Sequence, residues 1–203
     1  NLELQNTAVT TGSVLGVEVL RLGNNANVTI NNVNIRDLYS NGNSTALVRG
    51  IVINAGAGAG AMTNLNIYNN LVYDLRAPRS TGSPSIRAFD IQNTAGGLMN
   101  VGLYYNTAYI DNAVPPTVTT HQSSVLYLAN MTTSTLDMRN NILMNTMTSG
   151  TRATVIYASS NANLVRFTPT TNYNLYYIDN PSVTRLVGYD AASNFINLQA
   201  YQN

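Results

Sequence analysis

The chain has 203 residues with ten arginines, nine acids and a net charge of +1, and it contains no lysine, cysteine or tryptophan. That composition excludes a disulfide scaffold, a thiolate metal site and a cysteine nucleophile. It also leaves no electrostatic footprint for nucleic acid or an anionic membrane.

In chain order the sequence offers short apolar alternations separated by turn formers, with almost no helix signal. GVEVL (16–20) comes first, then NVTINNVNIRDL (27–38), GIVIN (50–54) and NLNIYNNLVYDL (64–75). AFDIQ (88–92), NVGLYYNTAYID (100–111), VLYLA (125–129) and TLDMRNNILMNT (135–146) follow. VIYAS (155–159), TNYNLYYID (171–179) and a degenerate RLVGY (185–189) close the series. Between them lie segments rich in Gly, Pro, Asn and Ser, such as YSNGNSTALVR (39–49) and RAPRSTGSPSIR (76–87). The alanine-glycine run AGAGAGA (55–61) lacks the Lys-Ser/Thr of a phosphate loop and reads as a side-chain-poor corner. Asn1–Leu20 shows no basic stretch followed by an apolar one, so the expectation is a processed or partial chain.

The segments form two interleaved series, each recurring every 30–38 residues. In one, Val17, Ile51, Phe89, Leu126 and Ile156 point inward, with Glu18, Val52, Asp90, Tyr127 and Tyr157 beside them pointing outward. In the other, the register can be set on Asn32, Asn69, Asn106, Asn140 and Asn174, read as a structural Asn column. Five residues further along stand Asp37, Asp74, Asp111, Asn145 and Asp179, an Asx column at the strand ends. Strands at a long fixed period predict stacked coils, because no single coil buries its apolar face alone. Equivalent residues then stand about 4.7–4.9 Å apart. With 44% hydrophobic residues the chain can fill such a core, and no apolar run approaches the roughly 20 residues of a membrane span.

The segments NIYNNLVYDL, LYYNTAYIDN, SSVLYLANMTTSTLDMRNNILMNT and NYNLYYIDN resemble the right-handed parallel β-helix repeats of large secreted bacterial surface proteins, over roughly residues 14–190. The resemblance implies an all-β fold in the pectate-lyase-like superfamily, on its non-enzymatic branch. The expectation is one domain over 1–203, a right-handed parallel β-helix of five to six coils.

Candidate chemistry is sparse. Glycosidases need two carboxyls about 5–9.5 Å apart, and only Asp37, Asp74 and Asp111 stack acids on consecutive coils. A recurring acid at a strand end reads first as a turn-forming Asx, with calcium between coils as the weaker reading. Arg49, Arg76, Arg79 and Arg87 lie on one side of the repeat, where Arg forks suit acidic sugars. Outward Tyr127 and Tyr157 offer either a sugar-contact face or stacking between coils. No catalytic residue, cofactor or resident metal is assigned, and His121, the single histidine, lies in a Pro-containing loop. The expected function is an extracellular or cell-surface structural solenoid, a filament, stalk or adhesin segment. Its end coils would pair with identical subunits or with the rest of a longer chain, glycans being possible partners. The alternative is a carbohydrate-binding or polysaccharide-cleaving β-helix domain.

Overall fold

A computed structural model describes residues 5–6, 12–20, 25–43, 45–54, 62–94, 96–111 and 115–197, with the backbone alone at 5, 6, 62 and 161. The predicted corner at 55–61, Glu3, and the apolar residues Leu2, Leu4, Leu198 and Tyr201 lie outside this set.

The chain is 55% strand and 4% helix, wound into a parallel β-solenoid of about four turns. Each complete turn contributes one strand to each of three sheets. The long sheet carries Val14–Leu20, Val48–Asn54, Ile86–Gln92, Gln122–Ala129, Arg152–Ala158 and Arg185–Tyr189, all parallel. The four-strand sheet carries Asn27–Asn31, Met62–Tyr68, Leu98–Tyr104 and Ser134–Arg139. The five-strand sheet carries Asn34–Ile35, Leu71–Tyr73, Thr107–Ile110, Ile142–Asn145 and Leu175–Ile178. A short lateral sheet joins Gln5–Asn6, Leu38–Ser40 and Leu75–Arg76. The expected five to six coils therefore resolve into four complete turns and two partial ones. On the fifth turn the helix Asn161–Leu164 and isolated bridges at Phe167 and Asn172 replace the middle strand.

The long-sheet register pairs Val17 with Ile51, Ile51 with Phe89, Phe89 with Leu126, and Leu126 with Ile156. These side chains, with Ile35, Val72, Ala108 and Leu143 from the five-strand sheet, fill the core. Gly50 marks where two walls approach. A Cβ there would sit 2.5 Å from the Ala88 carbonyl oxygen and 2.5 Å from Val72 Cγ1.

The corner between the four- and five-strand sheets turns on one left-handed residue per coil: Asn32, Asn69, Tyr105, Asn140 and Tyr173, all at φ of 55–56°. Asn tolerates this region better than most residues. A single such residue redirects the chain without a loop, which keeps the corner in register from turn to turn.

At the C-terminal end the long sheet gains one further short strand. Asn194–Phe195 folds back antiparallel on Arg185–Tyr189 and covers the last edge of the long sheet. The edge of Leu175–Ile178 has no partner strand among the described residues.

Candidate functional site

The interior Asn ladder comes first, because it sets the frame of the outer faces. Asn70 and Asn106 are buried, and the Asn70 backbone N–H and Nδ2 both donate to Asn106 Oδ1, at 3.1 and 3.0 Å. Asn106 makes the same pair to Asn141 Oδ1, and Asn141 the same pair to Asn174 Oδ1. Each Nδ2 also donates to a carbonyl of the preceding coil, at Ile30, Ile67, Leu103 and Met138. Val33 N donates to Asn70 and begins the ladder, while Asn174 hydrogen-bonds the hydroxyl of half-buried Tyr176 at its far end. Burial pushes that phenol up to about 12, against the opposing pull of Asn174.

This corrects the predicted column. Asn106 and Asn174 stand in the ladder, but Asn32, Asn69 and Asn140 sit one residue earlier, at the left-handed corner. The ladder position needs an amide aimed inward, and the corner position needs a positive φ. Doublets such as Asn69-Asn70 satisfy both and hide the difference.

The Asx column divides: Tyr73, Tyr109, Met144 and Tyr177 stand level, so Asp74, stacked with Asp37, lies one residue past that row and Asp111 and Asp179 two residues past it, while Asn145 leaves the column. Asp37 and Asp74 are left-handed strand-end residues at φ 58° and 53°. Asn145 instead pairs with Ile110 and Ile178 and points into the core, where its Nδ2 donates to Ser123 Oγ and the Thr154 carbonyl. Thr146 stands level with Asp111 and Asp179: its N–H donates to Ile110, as the Asp179 N–H donates to Asn145. Asp37 and Asp74 share Arg76, with Nη2 3.3 Å from Asp37 and Nε 2.8 Å from Asp74, the latter a close ion pair without hydrogen-bond alignment. Burial, a hydrogen bond with Asp37 and the charges of Asp37 and Asp111 push the Asp74 carboxyl up to about 6, with Arg76 opposing them. Arg76 thus serves both carboxylates, and no three His, Cys, Asp or Glu side chains converge among the described residues.

The predicted Arg and Tyr positions separate into groups. Arg49, Arg87, Tyr127 and Tyr157 meet on the outer face of the long sheet. Asp90 is fully buried there, 3.0 Å from Arg87 and 3.2 Å from Arg49. Arg87 lies 3.7 Å over the Tyr127 ring, which stacks on Tyr157 at 5.5 Å, and Tyr157 packs on Tyr189 at 4.9 Å. A charge buried this way is retained because two guanidinia neutralise it. Arg76 belongs instead to the Asp37–Asp74 corner, and Arg79 is exposed on the adjoining loop. His121 is buried, and its Nδ1 lies 3.4 Å from the Ser80 carbonyl. Desolvation holds it well below the usual imidazole range, at about 4, against the opposing effect of that contact, so it is neutral and enclosed.

A further surface went unassigned in the sequence. On the outer face of the four-strand sheet a cavity of about 450 Å³ is lined by Asn27, Asn64, Asn66, Asn100, Gly102, Tyr104, Thr135 and Asp137, with Leu65 and Val101. Asn64 Nδ2 donates to Asn27 Oδ1 at 2.9 Å, Asn100 Nδ2 to Asn64 Oδ1 at 3.1 Å, and Thr135 Oγ1 to Asn100 Oδ1 at 2.9 Å. Opposite this amide wall, the Tyr104 side chain lies over Gly102 and its hydroxyl donates to Asp137 at 3.2 Å. Burial raises Asp137, but hydrogen bonds from Arg139, Thr170 and Tyr104, together with the Arg139 charge, outweigh it and hold the carboxyl below its ordinary value. The signal was present in the sequence as a second repeating Asn, directly before the inward pairs Val28/Ile30, Leu65/Ile67 and Val101/Leu103, with Thr135 in its place before Leu136/Met138.

No protein-family model matches the chain, and no curated protein or solved structure matches it either.

Proposed function

We propose that this chain is a structural module of an extracellular or cell-surface protein, a stalk, filament or adhesin segment built to be stacked. The observation that carries the reading is the ladder from Val33 to Asn174, which spends buried amides on holding coil to coil rather than on presenting chemistry. Asp90, the most buried acid, supports it, because its carboxylate is consumed by Arg49 and Arg87. Stacking would use the edge of Leu175–Ile178. Leu175 and Tyr177 are exposed there, and a cavity of about 460 Å³ opens beside Ile178, Val187 and Ile196. An identical subunit or further coils of a longer chain would continue the sheet at that edge. Such head-to-tail contact does not close on itself and grows as a fibre. Sedimentation of the 203-residue chain at rising concentration tests this: growing assemblies are expected, and Leu175→Lys should reduce them. A monomer at every concentration whose Tyr176 and Ile178 amides, on the side away from the preceding coil, are already protected from exchange contradicts stacking at this edge.

A further inference from the structure

We propose that the outer face of the four-strand sheet binds a neutral oligosaccharide, laid along the solenoid axis between the amide wall and Tyr104. This site is separate from the stacking edge and holds whether the chain is a monomer or a fibre.

The argument starts from what the cavity presents. One wall is Asn27, Asn64, Asn100 and Thr135, each linked to the next by a side-chain hydrogen bond. An amide has two N–H donors and one carbonyl acceptor. The ladder takes one N–H from Asn64 and one from Asn100, so each keeps a second donor. Asn66, on the floor, is exposed and its side chain has no hydrogen-bond partner among the described residues. Such groups both give and accept hydrogen bonds, which is the property of a sugar hydroxyl and not of an anion or a cation.

The other wall is aromatic. Tyr104 forms it; Tyr68, its neighbour across the strands, lies outside the cavity lining, where Asn31 Nδ2 fixes its hydroxyl at 3.0 Å. Gly102 lets the Tyr104 ring lie flat against the sheet, since a Cβ there would come within 2.4–2.6 Å of it. With the Arg139 guanidinium carbon 5.8 Å from its centroid and its hydroxyl on Asp137, the Tyr104 ring offers apolar surface to the C–H face of a pyranose, while the sugar's hydroxyl edge meets the amides.

Charge decides the ligand class. Asp137 is the only acid in the lining, and Arg139 neutralises it through Nε at 3.0 Å and Nη2 at 2.5 Å. The groove therefore has polar contacts without net charge, which favours a neutral glycan over a uronic acid polymer. Because the amide repeats once per coil, at about 4.7–4.9 Å, a linear chain meets the same contact at successive turns.

The test is an NMR titration of the full chain with hexasaccharides of glucose, mannose, xylose, galactose and N-acetylglucosamine, and with hexagalacturonate. At least one neutral hexasaccharide should shift the Asn66, Asn100 and Gly102 resonances. Asn66→Ala should weaken that binding at least fivefold with an unchanged melting temperature, because Asn66 supports nothing in the fold. Leu71→Ala, on the five-strand sheet, should bind as the parent does. The proposal is overturned if no neutral hexasaccharide shifts these resonances, if hexagalacturonate binds more tightly, or if Asn66→Ala binds unchanged.

Discussion

Two asparagine ladders run up the same coils on opposite sides of one sheet wall. The inner one, Asn70–Asn106–Asn141–Asn174, is buried over its first three members, and the oxygens of Asn106, Asn141 and Asn174 each accept a backbone and a side-chain N–H together. The outer one, Asn27–Asn64–Asn100, carries a single side-chain bond per step and faces solvent. The chemistry is identical and the consequence is opposite. A buried amide that loses its partner has no water to replace it, whereas an exposed one does. The inner ladder is therefore a structural clamp, and the outer one retains donors for something else.

The largest difference should appear on cutting each ladder. Asn106→Ala removes both bonds received from Asn70 and both donated by its own Nδ2, leaving the buried Asn70 N–H without its acceptor. A loss of about 3 kcal/mol is expected in chemical denaturation. Asn43→Ala, in a variable loop, should cost less than about 0.5 kcal/mol. Similar midpoints for the two variants would remove the distinction.

A pair of glycines sharpens the same contrast. Gly50→Ala drives its methyl group against the Ala88 backbone oxygen and Val72, neither of which can swing aside. A cost of about 2 kcal/mol is expected. Gly102→Ala meets only the Tyr104 side chain, which can rotate into solvent. Thermal melts should show the smaller loss at Gly102; a reversal would mean that the wall at Gly50 yields.

The smallest effect is one of pH. His121, held at about 4, favours its neutral form in the fold, so its contribution is present above its ordinary 6.5 and is lost as pH falls through that interval. Asp74, raised to about 6 from 3.8, works the other way: the folded state binds its proton more readily, and stability from it grows as pH falls. Between about pH 6 and 4 the slopes oppose each other. Asp74→Asn, which keeps a residue suited to positive φ, should make the melting temperature fall more steeply over that interval than in the parent. An unchanged slope would deny the Asp37–Asp74 coupling.

The repeat, the parallel stacking and the inward columns of the long sheet were legible because period-two alternation is a direct image of a strand with one buried face. The ladder was legible in kind but not in register. Asn69-Asn70 and Asn140-Asn141 offer two candidates one residue apart, and only Tyr105-Asn106 and Tyr173-Asn174, where the corner residue is not Asn, show that the second member points inward. Asn145 was misplaced because the first coils place a left-handed Asp37 or Asp74 at this corner, so the same count from Asn140 lands on the inward residue level with Ile110 and Ile178. The burial of Asp90 was not legible either. Outward alternation predicts exposure, and only the folding of Arg49 and Arg87 onto it makes the site closed. The outer groove was missed because its Asn column looks like ordinary solvated strand surface until Gly102 and Tyr104 are seen together.

The most direct test of the inner ladder is residue-resolved amide hydrogen exchange in Asn106→Ala. The Asn70 N–H, whose acceptor is the deleted Oδ1, should lose protection beyond the global drop in stability. The N–H at position 106 still donates to Asn141 Oδ1 and should keep its protection. Loss confined to position 70 is the predicted result; equal loss at both positions, or none at 70, would contradict a ladder that clamps each coil to the next.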